Sequence, residues 1–108
     1  MNHEGPWGGL PGADLIEQGL ADLAAERVTE HALLVLVGEP RLRRLKIAFP
    51  AYRPALKHPV EHMLYDFLEQ KYDSDPYSRY NSLLRRMNSF AHALEWEQSK
   101  RDAAAHQT

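Results

Sequence analysis

The chain has no cysteine among its 108 residues. That excludes a disulfide scaffold, a thiolate zinc site, an iron–sulfur centre and a cysteine nucleophile. Long apolar runs are missing too. The longest, Ala32 to Val37, has six residues, far short of a membrane span. The N-terminus lacks the charged-then-apolar pattern of a secretory leader, so a cytoplasmic protein is expected.

Motifs for common chemistries are also missing. There is no G-x-S-x-G elbow and no G-x-x-x-x-G-K-S/T phosphate loop. The glycines from Gly5 to Gly12 follow no strand, so they form no dinucleotide fingerprint. No N-x-S/T acceptor occurs. No Glu is followed three residues later by His, which excludes the Glu-x-x-His pairs of di-iron bundles.

What remains is 44% hydrophobic and 26% charged, a composition suited to one small globular domain. Residues 1–12 carry four of the six glycines and two of the seven prolines and read as a flexible arm. Trp7 is the residue there that could dock as an anchor. Leu15, Ile16, Leu20 and Leu23 recur at helical spacing from Gly12 or Ala13 onward. Gly19 lies near that apolar face and suggests close approach of another helix.

Thr29 can cap a second element over Ala32 to Val37. This all-round apolar run suits a buried helix or a buried strand. The leucines favour helix; the strand alternative would pair it with Leu45 to Phe49 as a hairpin over 32–49. Pro40 suits the first turn of a short helix to about Leu45. Pro50, Pro54 and Pro59 make the next stretch irregular. Pro59 opens a helix with the stripe Val60, Met63, Leu64, Phe67 and Leu68. Ser74 or Asp75 caps a last helix that starts at Pro76.

That helix has the stripe Tyr80, Leu83, Leu84, Met87, Phe90, Ala91 and Leu94, and it runs past Glu95. Taken to Ala103 it would span roughly 40 Å, longer than a compact domain of this size. Its end should overhang, where it could fray or pack on a second copy. Trp96 points away from the main stripe and is expected under a partner, another helix or the N-terminal arm, or else on the open surface.

The net charge of −2 hides segregation. Residues 1–40 hold seven acids and one base, whereas 41–57 hold six bases and no acid. Residues 58–75 hold five acids and one base, and the remainder five bases and three acids. The basic block centres on Arg41, Arg43, Arg44 and Lys46. It can meet phosphates or an acidic protein surface, or it can be neutralised by the acids of the first helix. Arg79 and Arg86 share a flank of the last helix. Arg85 lies instead with Asn81, Asn88 and His92 around the polar side, and exposed Arg and Asn permit a helix-turn-helix reading with Pro76 to Met87 as recognition helix, but the helix is long for that role and the overall balance is acidic.

His58-Pro59-Val60-Glu61-His62 matches the letters of an inverted zinc-protease signature. Pro59 marks the helix start, so the His58 ring need not align with His62, and no metal site is assigned. Tyr72, Tyr77 and Tyr80 are expected to pack the elbow between the last two helices.

The expectation is an all-α fold of four or five helices, with a domain over 13–94 and a helix overhang and tail over 95–108. The function expected is non-catalytic: binding of a protein partner through the basic segment, the C-terminal helix, or both. Nucleic-acid binding through Arg41, Arg43, Arg44 and Lys46 is the alternative. Candidate binding residues are those four with Arg79, Arg86 and Trp96; no cofactor and no membrane association are expected, and a homodimer through the last helix is possible.

Overall fold

A computed structural model describes residues 7–72 and 74–106. The elements are α1 (Ala13–Ala24), α2 (Glu30–Val37), α3 (Glu39–Arg44), α4 (Val60–Lys71) and α5 (Pro76–His106). No strand occurs among the described residues, so the fold is all-α.

α2 is the centre. Ala32 to Leu36 are all buried, because α1, α4, α5 and α3 pack around it. This resolves the apolar run against the hairpin alternative. A residue buried on every side needs no amphipathic period, and a helix satisfies its own backbone groups there. The Ala32 amide donates to Thr29 Oγ1 at 3.1 Å, so Thr29 caps the helix as expected. Residues that a hairpin would use as its loop form α3 instead, with Pro40 in its first turn.

Gly19 allows α1 to meet α2. A Cβ there would lie 2.4 Å from the His31 carbonyl oxygen. Gly12, at φ 75°, starts α1 where its backbone meets that of Arg86 on α5.

Two helix ends share an uncommon solution. After α3 the Ile47 amide donates to Leu42 O at 3.1 Å and the Lys46 amide to Arg43 O at 2.9 Å. After α1 the Arg27 amide donates to Asp22 O at 2.8 Å and the Glu26 amide to Leu23 O at 2.9 Å. Both are Schellman endings, in which the left-handed residue is usually glycine. Here Lys46 (φ 68°) and Glu26 (φ 60°) hold that position. Leu42 and Ile47 are both buried, the apolar contact that accompanies the motif.

Asp75 precedes α5, and its carboxylate accepts from the Ser78 amide at 3.2 Å. Leu83, Met87, Phe90, Ala91 and Leu94 are buried along it. Its 31 residues give about 46 Å of helix, and the molecule measures 54 × 32 × 29 Å. The end of α5 therefore projects beyond the packed core. Trp96 stands there 63% exposed. No described helix is long and apolar enough to cross a membrane.

Candidate functional site

The basic block is neutralised in part, but not by α1. Arg41 makes a two-pronged pair with Glu95 of α5, Nε to Oε2 at 3.2 Å and Nη2 to Oε1 at 3.1 Å. This hydrogen bonding holds the Glu95 carboxyl below its ordinary value, assisted by the charges of Arg41, His92 and Arg44. Arg43 Nε donates to Glu39 Oε2 at 2.7 Å, and Arg53 reaches the same oxygen. Both guanidinium groups also lie over the Phe49 ring, 5.1 Å and 5.8 Å from its centre. The expected partners in α1 face elsewhere: Asp14 toward Arg86 at 3.5 Å, and Asp22 toward Arg27 at 2.9 Å. Among the described residues Arg44, Lys46 and Lys57 form no ion pair.

Lys46 lines a concavity. A cleft of about 500 Å³ lies between the Trp7–Leu10 turn, the exit of α3 and the late turns of α5. Trp7 and Leu10, both half-buried, supply apolar surface above the buried Leu45, Ile47 and Leu94; Lys46, Glu97, Gln98 and Arg101 make the rest of the lining polar. A second hollow of about 250 Å³, lined by Lys46, Gln98, Arg101 and Asp102, shares three of these polar residues.

Each wall has a local cause. The Leu10 amide donates to Trp7 O at 3.0 Å, closing a turn. The Trp7 ring meets Phe90 edge-on at 5.6 Å. The left-handed turn at Lys46 places Leu45 and Ile47 in the core on either side of it. Gln98 Nε2 donates to Leu45 O at 2.8 Å, tying α5 to the end of α3. Leu94, Gln98 and Arg101 fall at successive helical spacings.

The remaining sequence candidates are dispersed. Arg79 stacks on Tyr72, 3.8 Å from the ring centre. It shares a groove with Arg86, Ser82, His31, Glu30, Leu15 and Leu83, so that flank of α5 lies against α1 and α2. Trp96 lies outside the cleft lining. Tyr80 packs edge-on against Tyr65 at 5.7 Å and Tyr72 is half-buried, but Tyr77 is 65% exposed and does not join the elbow. The His58 and His62 rings do face each other, stacked at 5.0 Å. His62 Nε2 is 3.3 Å from Asp66 Oδ2. Among the described residues no group of three or more His, Cys, Asp or Glu is placed to hold a metal ion.

Sequence reasoning missed Leu10, Gln98 and Arg101. The helical register from Leu94 was the available signal for the last two. Leu10 had none, because a turn in a Gly/Pro segment leaves no periodic trace. Compared with known proteins, the chain matches no family model, no curated protein and no solved structure.

Proposed function

We propose that this chain is a non-catalytic interaction protein. Its cleft takes a partner segment that carries an apolar side chain beside acidic ones. One observation carries the reading: Lys46, from the basic block, and Arg101, from the last helix, line one cleft together with the half-buried apolar side chains of Trp7 and Leu10. Covering the Trp7 and Leu10 side chains supplies affinity by excluding water, and the cations orient an acidic segment. Glu97 in the same lining favours a partner whose acids lie toward Lys46 and Arg101.

Nucleic acid is the less favoured ligand for this surface. Arg41 and Arg43 are held by Glu95 and Glu39, which reduces the charge available to a phosphate backbone. The exposed Trp96 on the projecting end of α5 supports a second contact, with another copy of this chain.

Selection from a displayed peptide library tests the proposal. The peptides enriched should pair an aromatic or aliphatic residue with Asp or Glu, and should lose binding to Lys46→Gly and Arg101→Gln. Enrichment without acids, or equal binding to both variants, overturns the proposal. A labelled DNA duplex and single strand serve as the counter-test. Binding that weakens steeply with salt and falls in the same variants would assign the surface to nucleic acid instead.

A further inference from the structure

Arg79, Ser82 and Arg86 of α5 face His31 of α2 across a groove of about 230 Å³ that shares no residue with the cleft. The two arginines stand two helical turns apart with Ser82 between them. Tyr72 supports the Arg79 guanidinium from its flat side, at 3.8 Å. Such stacking orients the group and leaves its N–H edge directed in-plane. Arg86 has a weak carboxylate neighbour. Both Asp14 oxygens lie 3.5 Å from Arg86 Nη2, and the Asp14 side chain is 76% exposed, so water screens the pair.

One acid, Glu30, belongs to the groove wall. Lys71 Nζ at 2.9 Å and the Tyr72 hydroxyl at 3.1 Å both donate to its Oε1. Its charge is thus paired with Lys71 and with no arginine of the groove. The groove presents two guanidinium forks, an imidazole and a hydroxyl around the apolar Leu15 and Leu83.

We infer that this groove binds a phosphomonoester by its terminal oxyanion. Arg79 and Arg86 clamp the phosphoryl oxygens, the geometry that planar guanidinium forks match. Ser82 and His31 supply further polar contacts. The volume is below the range of pockets for drug-sized ligands, so a large ester would extend beyond it.

Titration with inorganic phosphate, followed by isothermal calorimetry and by amide shifts at His31 and Ser82, tests the site. O-phosphoserine and adenosine monophosphate are titrated in parallel. Binding of all three at similar strength identifies the phosphoryl group as the whole determinant. Tighter binding of either ester names the source of the phosphate. Arg79→Gln and Arg86→Gln should each weaken binding about tenfold. Asp14→Asn, which releases Arg86, should tighten it about twofold, a gain that a structural role for Asp14 does not produce. Should Arg79→Gln unfold the chain, Arg86→Gln and Asp14→Asn carry the test. No binding of any of the three ligands overturns the inference, as does binding indifferent to Arg86→Gln or weakened by Asp14→Asn.

Discussion

The Thr29 hydroxyl donates to Asp22 Oδ2 at 2.6 Å while accepting from the Ala32 amide at 3.1 Å. One side chain thereby joins the last turn of α1 to the first turn of α2. Asp22, 4% exposed, is the single buried charged residue among those described. Gln18 Nε2 and Arg27 Nη2 also donate to it, each at 2.9 Å. Burial pushes the Asp22 carboxyl up, but hydrogen bonds from Thr29, Arg27 and Gln18 outweigh it and hold the group below its ordinary value.

This arrangement predicts acid sensitivity. A carboxyl depressed in the folded state contributes stability above its unfolded pKa, near 4, and loses it as pH falls further. Glu30, raised by burial and lowered more by Lys71 and Tyr72, acts in the same direction. Urea unfolding at pH 7 and pH 3 should therefore show a clear loss of stability at the lower pH, and Asp22→Asn should flatten that difference. At pH 7, Asp22→Ala should cost about 2–3 kcal/mol, because it removes three hydrogen bonds made to a charged acceptor. Thr29→Ala should cost about 1–2 kcal/mol, and Thr29→Ser much less.

Gly19→Ala should destabilise strongly. The added methyl would meet the His31 carbonyl oxygen at 2.4 Å, and that atom belongs to the helix backbone. Separating α1 from α2 should cost about 3 kcal/mol, read as a lowered melting temperature. A neutral result would mean that α1 can slide on α2.

Lys46→Gly separates fold from function. Lys46 holds a left-handed backbone that disfavours L side chains. Glycine should therefore raise stability, by at most about 1 kcal/mol, while removing a cation from the cleft edge. The variant should unfold at higher urea and bind selected acidic peptides less well. A loss of stability would show instead that the lysine stem packs on the cleft wall.

Trp96→Ala should change stability by less than about 0.5 kcal/mol, as expected for an exposed position. Sedimentation of the parent and the variant across a concentration series checks the second contact. Association present in the parent and reduced in the variant is the expected result. A parent that stays monomeric throughout removes self-association from the proposal.

The helices were legible because their signals are local. Thr29 and Asp75 cap where their hydroxyl and carboxylate can reach a first-turn amide, and Pro40 and Pro76 sit where a missing N–H is harmless. The stripe from Leu83 to Leu94 faces the core because 3.6-residue periodicity decides which side chains share a side. The short helix ends at Leu45 as expected, but the left-handed endings at Glu26 and Lys46 had no local sign, since glycine usually marks that position.

The charges were legible as blocks but not as pairs. Composition along the chain determined that residues 41–57 are basic and 1–40 acidic. Only the packing decided that Arg41 meets Glu95 and that Arg43 and Arg53 meet Glu39, leaving Lys46 to share a cleft with Arg101. An ion pair forms between groups a few ångströms apart, and that distance follows from how helices dock. The sequence by itself determined helix-forming segments, their caps and the apolar faces, because these depend on neighbours one to four residues away. The tertiary structure decided which cations remain available and where a cleft opens, because both depend on segments that meet only after folding.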